Sequence, residues 1–176
     1  MMSQSYSTKQ KLINSAIKIF AEKGFWKTKI SDIVKEAGVA QGTFYLYFKS
    51  KDHCLKEILL LLHYETLDEI KKLIESNSKF SEVLIYFIKR MYNLKKIAKV
   101  FLFEALSSGE EFRDLYFQFK FNFRNILKNL NLSDELITII LGINREIIEQ
   151  DIIFEEKSEE FVISKFKKII DILNIK

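Results

Sequence analysis

The stretch TKISDIVKEAGVAQGTFYLYFKSKD, from Thr28 to Asp52, restricts the fold more than any other part of the chain. Ile30, Ile33, Val34 and Ala37 recur every three or four residues and make one buried face of a short helix, with Thr28 read as its cap. Gly38 ends that helix, because a residue without a Cβ enters the left-handed conformation cheaply. Val39 then packs inward, Gln41 to Tyr47 form a third helix of about two turns, and Ser50 caps a fourth helix over residues 51–75. Residues 8–23 act as a clamp. Leu12, Ile13, Ala16, Ile17 and Phe20 share a face there, lysines occupy the rest of the wheel, and Gly24 stops the helix.

The remainder also reads as helix. The chain has no proline and five glycines in 176 residues, so long helices run uninterrupted, whereas an all-β chain needs many more turn residues. Breaks at 76–79 (SNSK), 107–110 (SSGE) and 131–135 (NLSDE) separate helices expected near 81–94, 98–106, 112–130, 134–153 and 158–173. The result is an all-α chain of about nine helices. Residues 1–52 read as one domain, helix 51–75 as a connector, and 53–176 as a helical body. Cys54 stands alone, so no internal disulfide forms, and no apolar run has signal-peptide or membrane-span length. A cytoplasmic protein without membrane association is expected.

Charge is unevenly placed. Residues 1–52 hold nine lysines against four carboxylates, while the rest holds 19 basic and 20 acidic residues. A basic N-terminal part suggests an anionic partner there, although a solvated lysine surface explains the charge alone equally well. Lys29 and Lys51 each follow a cap and put positive charge at the positive end of a helix dipole, a conflict that an outside phosphate removes. The third helix begins with Gln41, Gly42 and Thr43, free of bulk. Such an end fits the major groove, where Gln pairs with adenine and Thr meets a thymine methyl or a hydrogen-bonding edge. Phe44 and Phe48 face the core, leaving Tyr45 and Tyr47 outward for phosphate, sugar or base, or one of them for packing on the first helix.

With these residues in view, the run from Ala16 to Leu59 resembles the DNA-binding domain of the TetR family of bacterial transcriptional regulators. The matching positions are Phe20, Gly24, Thr28, Ile33, Ala37-Gly38-Val39, Gly42-Thr43, Tyr45, Tyr47-Phe48 and Ser50-Lys51. The resemblance implies DNA contacts at Thr28, Gln41, Thr43, Tyr45, Tyr47 and Lys51. Three positions depart from it: Ala40 stands where Ser is common, Leu46 where His is common, and Lys49 where Pro is common. Ala40 leaves the third helix without a side-chain cap, an interaction worth roughly 0.5–2 kcal/mol.

Helix-turn-helix proteins usually bind DNA as two-fold dimers. Wide apolar stripes on the last two helices, through Leu136, Ile140, Ile143 and Ile147 and through Phe161, Phe166, Ile169 and Leu173, are the expected homodimer surface. An ordinary intrachain core is the alternative. Phe87, Phe101, Phe103, Phe112, Tyr116, Phe119 and Phe123, with His63, are the candidates for a cavity that takes a small apolar effector. Plain core packing accounts for them equally well, in which case a protein partner or abundance controls the regulator. The family resemblance implies an operator-bound repressor released by ligand. An enzyme is disfavoured. Of the two histidines, His53 adjoins the lone cysteine without triad or metal-ligand company, and no phosphate-cradling glycine loop is present. No cofactor or metal is expected.

Overall fold

The computed structural model describes residues 2–130 and 132–174, with side chains from Ser7 onward. Among them are nine α-helices and no strand: α1 (Met2–Lys23), α2 (Ile30–Ala37), α3 (Gln41–Tyr45), α4 (Lys51–Glu75), α5 (Phe80–Asn93), α6 (Lys95–Phe103), α7 (Glu110–Lys128), α8 (Asp134–Glu146) and α9 (Glu159–Ile172). A 3₁₀ turn, Ala105–Ser107, links α6 to α7, and α8 runs on into a π-helical segment, Ile147–Phe154. Asn131, at the head of the expected break 131–135, lies outside the described residues.

Three hydroxyls cap helices, Ser50 among them as the sequence places it. Ser50 accepts from the His53 N–H at 3.0 Å, Ser133 from Leu136 at 3.3 Å and Ser158 from Phe161 at 3.3 Å. Thr28 does not cap α2. The helix starts at Ile30 with Lys29 in the cap position, and the Asp32 carboxylate accepts the Lys29 backbone N–H at 3.0 Å. Other boundaries differ from expectation too, α6 lying three residues earlier at each end than the expected 98–106. α1 begins before residue 8, α3 ends at Tyr45, and the helix expected over 134–153 changes to wide π turns after Glu146. Ile147 and the run Asp151 to Ile153 are all buried, a spacing that suits the wider turn better than an α-helix.

Side chains pack into two clusters. The first joins α1–α3 to the first half of α4: Leu12, Ala16, Phe20, Ile33, Phe44, Phe48, Leu55 and Ile58 are wholly buried. Each leucine, isoleucine and phenylalanine among them contributes roughly 1.5–3 kcal/mol on burial. This cluster continues past residue 52 into Val100 and Phe101 of α6 and Phe112 and Leu115 of α7. The second cluster lies between the second half of α4, α5, the end of α7, α8 and α9, around Ile70, Ile88, Leu127, Ile137, Val162 and Phe166. α4 therefore spans both.

Candidate functional site

Gly38 takes φ 66°, and the turn closes with Val39 N–H donating to the Val34 carbonyl at 3.0 Å. The chain reverses there at once into α3. Phe44 and Phe48 pack their rings 5.3 Å apart in the first core, which fixes the roll of α3. Gln41, Gly42 and Tyr45 are consequently exposed, Tyr45 by 53%, and Leu46 beside them by 79%. Thr43 is half-buried, and so is Tyr47, whose ring packs on the same core. Ala40 caps nothing with its side chain, as its methyl dictates.

The lysines of this part divide into two sets. Lys9 pairs with Glu57, Lys18 with Glu36 and Lys23 with Asp32. The Glu36 carboxylate holds the Lys18 ammonium above its ordinary pKa, and Lys23 holds Asp32 below its own. Lys11, Lys27, Lys29, Lys35 and Lys49 are exposed and carry no ion pair among the described residues. They are the positive charge left to an outside anion.

Two of the expected contacts have other engagements. Thr28 is buried and its hydroxyl donates to the Gly24 carbonyl at 2.6 Å, so it pins the loop between α1 and α2. The Lys51 ammonium donates to the Phe25 carbonyl at 2.7 Å and lies 4.4 Å from the centre of the Phe25 ring. The charge conflict at the start of α2 is also met from inside, because Asp32 sits in that first turn.

Phe25 is held from three sides. Besides Lys51, the Glu104 carboxylate at the end of α6 accepts its backbone N–H at 2.7 Å and that of Trp26 at 3.3 Å. Phe112 of α7 meets the ring edge-on at 5.8 Å. Gly24, at φ 79°, leaves the space that Glu104 needs, since a Cβ there would lie 2.7 Å from its Oε1. Glu104 thus holds the backbone of the reading head, and no local motif announces a contact across 79 residues.

A cavity of about 630 Å³ lies between α4, α5, α6, α7 and α8. Six expected residues line it: His63, Phe87, Phe101, Tyr116, Phe119 and Phe123. Phe103 and Phe112 do not. Phe103 points to the other side of α6 and meets Phe154 at 4.9 Å. Phe112 shares a helical face with Phe119 but sits two turns nearer the reading head, about 10 Å away along the axis, inside the first core. His63 stacks on Phe119 at 4.0 Å and its Nε2 lies 3.1 Å from the Asn122 amide nitrogen. Burial pushes its pKa down to about 4, so it stands neutral in the wall. The exposed lining residues Lys120, Phe121, Thr138, Gly142 and Arg145 put the mouth between α7 and α8. The sequence reading missed Asn144, which is buried on the cavity face of α8.

The apolar stripes of α8 and α9 are only partly free. Ile140, Ile147 and Phe166 are buried in the second core, where α5 and α7 cover them, so they cannot meet a second subunit. Leu136, Ile143, Ile169 and Leu173 are half-buried, Phe161 is exposed, and Ile139 and Ile172 beside them are exposed as well. A helix with a core-facing edge presents only the adjoining edge outward.

A small helix-turn-helix head fused to a cavity-bearing helical body defines a two-part DNA-binding regulator. The chain belongs to the TetR family of bacterial regulatory proteins: residues 12–58 match that family's DNA-binding domain, and residues 78–173 match the tetracyclin repressor-like C-terminal domain. It is 30% identical over 142 residues to the fatty acid metabolism regulator protein of Bacillus subtilis, covering 78% of this chain and 70% of that one. It is 45% identical over 84 residues to the B. subtilis HTH-type transcriptional regulator YvdT, of whose length it spans 43%. A transcriptional regulator of the TerR/AcrR family from Aquifex aeolicus VF5 superposes with a TM-score of 0.83 at 30% identity, covering 94% of this chain and 99% of that one. B. subtilis FadR in complex with stearoyl-CoA shares the fold, with a TM-score of 0.76 at 23% identity over 93% and 96% of the two chains.

Proposed function

We propose that this chain is a cytoplasmic transcriptional repressor that binds operator DNA as a homodimer and releases it when a long-chain acyl ligand enters the cavity. The observation that carries the reading is the continuity of α6. Ala98, Phe101 and Leu102 form cavity wall, and within a turn Glu104 grips the loop that positions α2 and α3. α4 makes a second link, with Leu62, His63 and Thr66 in the wall and Lys51 on the Phe25 carbonyl. A ligand that favours a wider cavity therefore favours a different tilt of the head, and occupancy shifts the population away from the DNA-spaced dimer. The fatty acid regulator among the relatives and the stearoyl-CoA complex of the related fold support an acyl effector.

In this reading Gln41, Gly42, Thr43 and Tyr45 face base edges, and Lys29 and Tyr47 face the phosphate backbone. Thr28 and Lys51 hold the loop behind them. Leu136, Ile139, Ile143, Phe161 and Ile172 supply the subunit contact, setting two reading heads about 34–36 Å apart or a multiple of that. Selection of bound sequences from a random duplex pool, followed by titration of the winner complex with stearoyl-CoA, tests both halves. A two-fold sequence that dissociates on addition of the thioester is expected. A pool that never enriches sinks the DNA reading, and an enriched complex indifferent to saturating stearoyl-CoA sinks the effector reading.

A further inference from the structure

Asn144 is 3% exposed, and neither its Nδ2 nor its Oδ1 has a hydrogen-bond partner among the described residues. They are the only buried side-chain polar atoms so placed among those residues. An amide left unpaired in apolar surroundings costs stability, and the donor is the costlier half, because buried N–H groups almost never go unpaired while carbonyl oxygens sometimes do. An apolar residue at 144 removes that cost at once, so the amide is there for something that enters.

Its position says what. Leu141 and Asn144 of α8 and Ile148 of the π-helical segment that continues it all line the cavity, so the amide stands between two apolar lining residues. Gly142 and Arg145, its neighbours in sequence, are exposed lining residues at the mouth, which places the amide at the mouth end of the cavity. Lys120, across the mouth on α7, carries no ion pair among the described residues, whereas Arg124 is paired with Asp134 and Arg145 with Glu149. Running inward, the site offers a cation 5.5 Å from the centre of the Tyr116 ring, then a lone amide, then a hydrocarbon-lined chamber.

We infer that Asn144 is the specificity-determining residue of the cavity: its Nδ2–H donates to the acyl carbonyl of a long-chain thioester or ester whose anionic head lies by Lys120 and whose chain fills the chamber. The inference rests on the acyl-effector reading and adds to it the atom that is recognised. A saturated chain without a carbonyl fills the same chamber but leaves the amide unpaired. Discrimination of this kind, where a site built to hydrogen-bond meets an analogue lacking the group, exceeds what a missing methylene produces.

The test compares stearoyl-CoA with its thioether analogue, S-octadecyl-CoA, which keeps head and chain but lacks the carbonyl. Binding of each to the full chain and to Asn144→Leu is measured by calorimetry, with thermal unfolding of both free proteins. The wild-type chain should prefer the thioester by at least about tenfold, the ratio set by one buried hydrogen bond. Asn144→Leu should bind both ligands with the same affinity and melt higher when free. Equal affinities in the wild-type chain, or a preference that survives in Asn144→Leu, overturn the inference while leaving the acyl reading intact. A lower melting temperature for the free variant also overturns it, because the amide would then serve the fold. Binding of neither ligand to the wild-type chain overturns the acyl reading and this inference together.

Discussion

The head and the body use the same side chain to opposite ends. In the head, Phe20, Phe25, Phe44 and Phe48 are closed off from solvent and pack as two pairs, Phe20 with Phe25 at 6.0 Å and Phe44 with Phe48 at 5.3 Å. In the body, Phe87 and Phe123 stack at 4.3 Å and Phe119 stacks on His63 at 4.0 Å, yet all of them wall a cavity. Aromatic content therefore does not separate a solid core from a chamber. The polar residues do. The buried Thr28 hydroxyl of the head has its partner at 2.6 Å, whereas Asn144 in the body has none among the described residues.

Truncation breaks this comparison most sharply. Phe44→Ala should cost about 3–5 kcal/mol, since it opens a void in a closed core. Phe123→Ala should fall at or below the bottom of that range, because one side of the ring already borders empty space. Urea unfolding of both variants decides it. Equal losses would mean that the chamber is closed in solution and the two cores are alike.

Removing the link between the regions has the next largest effect. Glu104→Ala takes away an anionic acceptor from two backbone N–H groups, and hydrogen bonds to charged groups are worth about 1.5–3 kcal/mol each. Stearoyl-CoA should still bind to this variant but release DNA less. Trp26, the chain's single tryptophan, lies on the gripped loop, so its emission should respond to ligand in the wild-type chain and stay constant in Glu104→Ala. A ligand-induced shift that persists in the variant would assign the coupling to α4 instead.

A milder difference is one of pH. His63 titrates near its ordinary 6.5 when the chain is unfolded and at about 4 when folded. The unfolded chain therefore binds more protons between those values, and stability is full above about pH 6.5 and declines as pH falls towards 4. His63→Phe should flatten that decline. Chemical denaturation at pH 7 and pH 5 measures it.

How much was legible follows from the range of each interaction. The head was readable because its determinants are local: Gly38 ends α2 within the stretch it terminates, Ser50 caps the helix it precedes, and Phe44 and Phe48 are one turn apart. Thr28 and Lys51 were placed on the outside because their partners, the Gly24 and Phe25 carbonyls, are backbone atoms that no side-chain pattern displays. In the body Phe103 falls on the other face of α6 from the one expected, and depth along a helix is not periodic, which is why Phe112 was put in a chamber that ends above it. Ile140, Ile147 and Phe166 were given to a partner subunit for a related reason: a stripe's width shows that two neighbours exist, not which belongs to the same chain. Asn144 was visible all along as a polar residue in an isoleucine-rich helix. It needed the cavity to become informative.

The smallest expected effects concern two lysines that looked equivalent in sequence and differ in structure. Lys29 is exposed without an ion pair among the described residues, whereas Lys51 is turned inward onto Phe25. If Lys29 meets a phosphate, Lys29→Ala should leave folding stability within about 0.5 kcal/mol and reduce the salt slope of operator binding by about one unit. Lys51→Met keeps the apolar stem over the ring but loses the donor and the charge, so it should lower stability and leave the salt slope as it was. Melting curves and binding isotherms between 50 and 200 mM salt, about the range over which phosphate contacts tell, separate the two. A unit lost from the slope in Lys51→Met would show that its ammonium leaves the Phe25 carbonyl for DNA when the head engages. Operator binding would then itself loosen one of the three holds on Phe25, leaving that residue tied to the body in the bound state by Glu104 and Phe112.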